Sequence, residues 1–130
     1  MEVVRRAVAA VNAGDVDRLL TLVDAEIEFR SPTEQRTYRG IAGIVRYAND
    51  VAAVMEDFHT EDDRFLDVGT DRVLHLYRVH GRGSGSGVPV SRHNAILWQL
   101  RGRKLLIGQG YLSQREALEA VGLSEQDADS

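Results

Sequence analysis

The sequence predicts an α+β fold in which N-terminal helices pack on a strongly curved antiparallel sheet. Three observations predict it. Apolar residues at helical spacing dominate the first half, strand-like runs dominate the second, and turn-forming residues separate those runs at short intervals. Helices laid over one side of a bent sheet enclose a pocket, so a ligand cavity is expected with the fold.

Val3, Val4, Ala7, Val8 and Val11 make the stripe of a first helix, which Asn12 and Gly14 stop. Asp15 is placed to cap a second helix, with Asp17 in its first turn and Val16, Leu19, Leu20 and Val23 on its apolar side. Capping accounts for both aspartates, which weakens their reading as paired catalytic carboxylates. "EIEFRSP" alternates as a strand and stops at Pro32. After "TYRG" a longer helix runs from about Ile41 to Glu56, with Ile44, Ala48, Val51 and Met55 on one face. Strands follow at about 58 to 68, 72 to 81, 87 to 101 and 103 to 112. The chain closes with a helix: Ser113 and Glu116 form a capping box, Ala117, Leu118 and Val121 give an apolar side, and Gly122 stands at the left-handed C-cap. A single domain over residues 1–123 and a polar tail over 124–130 are expected.

Composition narrows the function. The chain has 130 residues, a net charge of -4 and no cysteine, which excludes a disulfide framework and a thiolate nucleophile. Scattered arginines argue against nucleic acid as a partner, and no apolar run is long enough for a membrane span. A cytoplasmic location is expected, with a hydrophobic small molecule as the partner and no cofactor. "HGRGSGSGVPV" invites comparison with a phosphate-binding loop. It lies between "LHLYRV" and "SRHNAILWQL", strand to strand, where no helix N-terminus is available, and a bend in a long hairpin explains it better.

The order of elements resembles the nuclear transport factor 2-like superfamily, and within it the SnoaL-like branch. "AAVNAGDVDRLLTLVDAEIEF" is similar to the family's first helix pair and strand, "YRGIAGIVRYANDV" to its glycine-started long helix, and "RGSGSGV", "LWQLRGRKLL" and "REALEAVGL" to its sheet and closing helix. The resemblance implies a cone-shaped NTF2-like domain and a homodimer joined through the sheet. The superfamily includes ketosteroid isomerases, polyketide cyclases and limonene epoxide hydrolases. The isomerases' three working positions fall here on Ala7, on Ser31 before Pro32, and on "NAILW", none of them the expected tyrosine or aspartate. The aspartate of SnoaL-type cyclases falls in the stretch Gln109 to Ser113, which has no acid. An Asp, Arg, Asp set like that of the epoxide hydrolases has no clear place.

Register gives the candidate site. A last turn centred on Gly102 and Arg103 sets Trp98 opposite Ile107, Ile96 opposite Gln109 and Asn94 opposite Tyr111. A glycine loop centred on Ser84 and Gly85 adds Val73, His75 and Tyr77 to that face. His75 is the candidate catalytic acid or base, because an imidazole titrates near neutral pH. Tyr77, Asn94, Trp98, Gln109 and Tyr111 are the candidate ligand-binding residues; each also has a plain reading as sheet packing or a satisfied hydrogen bond. The other face, with Leu74, Leu76, Ala95, Leu97, Leu106 and Leu112, is apolar enough to need cover, which a second copy would give. His59, Glu61 and Asp63 alternate on one side of a strand, as metal ligands or as a charged edge; the edge reading is preferred and no metal is expected. An isomerase, cyclase or hydrolase acting on a hydrophobic substrate is one expectation; a non-catalytic ligand-binding or dimerisation module is the other.

Overall fold

The computed structural model describes residues 1–32 and 36–128. Helices α1 (Glu2–Asn12) and α2 (Val16–Leu20) precede strand β1 (Val23–Arg30), a short β2 (Thr37–Arg39) and helix α3 (Gly40–Val54). Strands β3 (Met55–Asp67), β4 (Arg72–Gly83), β5 (Pro89–Arg101) and β6 (Lys104–Tyr111) follow, then helices α4 (Gln114–Ala120) and α5 (Glu125–Ala128). No helix among the described residues is long and apolar enough to cross a membrane.

The local signals act as the chain's chemistry dictates. Asp15 accepts the amide of Arg18 at 3.0 Å and so starts α2. Ser113 accepts the amide of Glu116 at 3.2 Å and starts α4. At the other end of α4 the amide of Leu123 donates to Leu118 O and that of Gly122, at φ 75°, donates to Glu119 O. These two bonds satisfy the carbonyls a helix end would otherwise orphan. In the glycine loop, Gly83 N donates to Val88 O, and Gly85 and Gly87 take φ of 82° and 68°. The loop does join strand to strand, but the pairing of Tyr77 with Asn94 and of Arg82 with Pro89 centres it on Gly85 and Ser86. This moves partners by two residues and leaves every side chain on its expected face.

The six strands lie in the order β2-β1-β6-β5-β4-β3. The chain makes the β1–β2 hairpin at one edge, crosses through α3 to the other, and returns by a β3-β4-β5-β6 meander. β6 therefore lands beside β1 in parallel, the one departure from the expected antiparallel pairing among the described strands.

Each face of the sheet has its own core. Under α1, α2 and α3 lie Val4, Ala7, Ile27, Phe29, Ile44, Val73 and Leu105. On the far face Leu74, Leu76 and Ala95 pack against Ala117 and Leu118 of α4. Part of the far face, where a second copy was the expected cover, is covered within one chain: α4 folds back over it, leaving Leu74 and Leu76 0% and 2% exposed. Part of the expected polar tail also belongs to this layer. Ser124 binds the Asp127 carboxylate through its amide and hydroxyl, forming α5, and Ala128 packs against the same cluster. Residues 129 and 130 of that tail lie outside the described residues.

Candidate functional site

A cavity of about 460 Å³ opens between the sheet and α1 and α3, and its lining is mostly apolar. The β4–β5 ladder builds one wall. Val73 pairs with Trp98, His75 with Ile96 and Tyr77 with Asn94, so all six side chains share the cavity face. Phe29 from β1 stacks on Trp98 at 5.7 Å between centroids, and Tyr47 from α3 meets Phe29 edge-on at 4.8 Å.

His75 is 2% exposed at this wall. Its ring lies between Phe65 at 4.7 Å and Tyr77 at 4.6 Å, and the Arg5 guanidinium covers the outer side of Phe65 at 4.4 Å. Nε2 of His75 is 2.7 Å from Asp63 Oδ1. A carboxylate accepts, so Nε2 carries the hydrogen and the neutral ring has its lone pair at Nδ1. The Asp63 carboxylate is itself held. Thr60 Oγ1 donates to both of its oxygens, at 2.8 and 3.0 Å, and Asn12 at the end of α1 fixes Thr60 by accepting its amide and donating to its hydroxyl. Burial pushes the Asp63 carboxyl up, but the hydrogen bonds from His75 and Thr60 outweigh this and hold it below its ordinary 3.8.

A bulge brings Asp63 to His75. β3 pairs Glu61 with Arg78 and Arg64 with Leu76, so Asp62 and Asp63 together face the single residue Tyr77. Asp62 takes a left-handed φ of 55°, a conformation that aspartate tolerates better than most residues. Strict alternation, which grouped Asp63 with His59 and Glu61, fails at this step. Those two residues stay on the outer face.

The predicted residues thus divide. His75, Tyr77 and Trp98 line the cavity, and Asn94, 4% exposed, sits beside Tyr77 with its Oδ1 free of any hydrogen-bond partner among the described residues. Burial, with Tyr47 nearby, pushes the Tyr77 phenol far above its ordinary value against the opposing hydrogen bond of Asn94, so Tyr77 stays a neutral donor. Gln109 and Tyr111 are not in the cavity. The turn does pair Leu100 with Leu105, but the register then shifts between Gln99 and Leu100, which sets Trp98 opposite Gly108, Leu97 opposite Gln109 and Ala95 opposite Tyr111. Gln109 consequently accepts from Arg30 at 3.1 Å on the far face, and Tyr111 packs against the α4 core. Gly108 occupies the cavity side because nothing larger fits. A Cβ there would lie 2.5 Å from Trp98 Cζ3 and 2.8 Å from Phe29 Cδ1. Asp63, Thr60, Tyr47 and Phe29 are the site residues that sequence reasoning missed.

Residues 4–106 match the model of the SnoaL-like domain family. The chain belongs to this family. The SnoaL-like domain also resembles solved structures, at identities that speak to fold alone. A hypothetical protein with a ketosteroid isomerase-like fold from Catenulispora acidiphila, in complex with trimethylamine, is 24% identical with a TM-score of 0.78, over 96% of this chain and 95% of that one. A candidate polyketide cyclase from Xanthomonas campestris is 17% identical with a TM-score of 0.77, over 93% and 95%. TerC, co-crystallized with polyporic acid, is 20% identical with a TM-score of 0.76, over 92% and 95%. No curated protein matches the sequence.

Proposed function

We propose that this SnoaL-like protein binds a hydrophobic small molecule and moves a proton on it, as an isomerase, cyclase or hydrolase with His75 as the acid-base residue. The observation that carries this reading is the 2.7 Å contact of His75 with Asp63 at the wall of an apolar cavity. A carboxylate on one ring nitrogen fixes the tautomer and stabilises the imidazolium that forms when the other nitrogen takes a proton. In this reading Nδ1 takes a proton from an acidic carbon or hydroxyl of the guest and returns it to another atom of the same molecule. Tyr77 donates a hydrogen bond to the oxygen on which charge grows, Asn94 supports Tyr77, and Trp98 and Phe29 bind the guest's flat apolar part. A volume of about 460 Å³ suits a guest of drug size. Neighbours of the same fold that hold polyporic acid or trimethylamine support a small organic guest. A homodimer in the cytoplasm completes the reading; with α4 over much of the far face, its contact would use the remaining strip near exposed Leu112. A monomer mass by sedimentation would remove that element alone.

A second reading, a binding module without turnover, is favoured by the stacking of His75 between Phe65 and Tyr77, which leaves little of the ring within reach. One experiment separates the two. Trp98 is the only tryptophan, so its fluorescence reports binding of a panel of aromatic ketones; deuterium uptake by each binder in heavy water then reports proton transfer. The enzyme reading expects uptake that His75→Gln slows by about 10²-fold or more while binding persists. Binding with uptake no faster than in buffer would leave the module reading in its place.

A further inference from the structure

On the outer face of the β3–β4 pair, away from the cavity, two imidazoles and a carboxylate converge. His59 and His80 are cross-strand partners, and their rings stack with centroids 5.5 Å apart. Glu61 lies between their inner nitrogens: His59 Nε2 is 3.1 Å from Oε1, and His80 Nε2 is 3.2 Å from Oε2. One donor atom from each of the three lies within 4.8 Å of the other two.

We propose that His59, Glu61 and His80 form a binding site for a divalent transition-metal ion of the zinc type, distinct from the cavity. The first support is the tautomer. His59 Nδ1 is 2.8 Å from the carbonyl oxygen of Asp57, which only accepts, so the ring's hydrogen is held there. Nε2, 3.1 Å from Glu61 Oε1, points at the same carboxylate, and a carbonyl on the opposite nitrogen is how proteins orient a metal-binding histidine; an ion bound there takes the place of any proton that Nε2 shares with Glu61. That carbonyl is in reach because the ladder slips between Glu56 and His59, where Asp57 takes a left-handed φ of 55°.

The second support is an orphaned atom. His80 Nε2 is buried and has no hydrogen-bond partner among the described residues, although it faces the carboxylate. The third is spacing. Ligand bonds of about 2.0–2.1 Å in a tetrahedron put neighbouring donor atoms about 3.3 Å apart; each histidine is 3.1 or 3.2 Å from one Glu61 oxygen, and the three donors, all within 4.8 Å of one another, need only draw in slightly. The Arg78 guanidinium lies 2.9 Å from the same carboxylate. Arg78 stays as an outer partner of Glu61 or shifts to Asp62, 3.2 Å away. Side-chain exposures of 42% for His59 and Glu61 give an ion access from solvent and leave room for water as a fourth ligand. Two nitrogens and one carboxylate oxygen suit zinc, nickel or copper(II) better than calcium or magnesium.

The test is calorimetric titration of zinc chloride into the full chain after chelator treatment, with cobalt(II) absorption as a second readout of coordination. One ion per chain is expected, together with the visible absorption of four-coordinate cobalt. His59→Ala, His80→Ala and Glu61→Gln should each weaken zinc by at least the tenfold, roughly, that loss of an outer partner costs a metal site, and His93→Ala should not. Where an alanine variant fails to fold, His59→Gln and His80→Gln carry the test. Absence of saturable zinc binding below about 1 mM, or titrations of the variants that overlay the parent, would overturn the site.

Discussion

The two faces of the sheet use the same alternating strands to opposite ends. On the far face Leu74, Leu76 and Ala95 are sealed under α4, with Leu118 2% exposed. On the cavity face the neighbouring residues of the same strands, Ile96 and Trp98, are only half buried, because a hollow of about 460 Å³ takes the place of further side chains. Contact between atoms is what a packed layer gains and a hollow forgoes. Both faces therefore supply stability, but around the hollow the cavity face forgoes some of it.

Truncation is the strongest way to break this comparison. Leu76→Ala should cost about 2–5 kcal/mol in chemical denaturation, and Ile96→Ala a smaller amount, about 1–2 kcal/mol, because it only enlarges an existing space. Equal losses would mean the hollow is closed in solution. Gly108→Ala works in the other direction by adding a methyl group under Trp98 and Phe29. It should cost about 1–3 kcal/mol and alter Trp98 emission, whereas an unperturbed spectrum would contradict the packing around that glycine.

Removal of charge at the site comes next. Asp63→Asn should cost about 1–2 kcal/mol at neutral pH, the lower part of the range for a charged hydrogen bond since the Asp63 side chain is 22% exposed. The folded carboxyl titrates below its ordinary 3.8, so its contribution is complete above that value and is lost as pH falls through the folded one. The gap between parent and Asp63→Asn should consequently be full at pH 7 and close in strong acid. A gap that widened on acidification would reverse the assigned direction. The smallest effect lies on the far face, where Ser113→Ala should lower stability by about 1 kcal/mol through loss of the α4 cap; an unchanged midpoint would contradict that cap.

How much of this was legible in the sequence depends on whether a strand keeps its alternation. β4 and β5 pair from Arg72 with Gln99 to Arg82 with Pro89 without a shift, so the grouping of Val73, His75 and Tyr77 with Asn94, Ile96 and Trp98 could be read by counting. The helices were legible too, since Asp15, Ser113 and Gly122 carry their caps in plain residue types. Counting failed at bulges. The slip after Gln99 removed Gln109 and Tyr111 from the cavity, and the only trace of it in the sequence is that Gly108 and Gly110 stand where side chains would collide with Trp98 and Pro32. The slip at Asp62 turned Asp63 toward His75, and its trace is the doubled aspartate, a residue type that accepts a left-handed backbone. Asp63, Gln109 and Tyr111 were misplaced because a register shift changes which way the next side chain points, whereas Phe29 and Tyr47 come from β1 and α3, outside the ladder that was counted.

The bond pair between Asn12 and Thr60 has a mechanical consequence. The same threonine hydroxyl that receives Asn12 is the one that steadies the Asp63 carboxylate, so the C-terminal end of the first helix and the His75–Asp63 pair share a single fastening. Any outward swing of that helix to admit a bulky visitor would tug on the anchor of the imidazole. Under the proposed function, admission of a guest and the setting of the imidazole would therefore be coupled through Asn12 and Thr60.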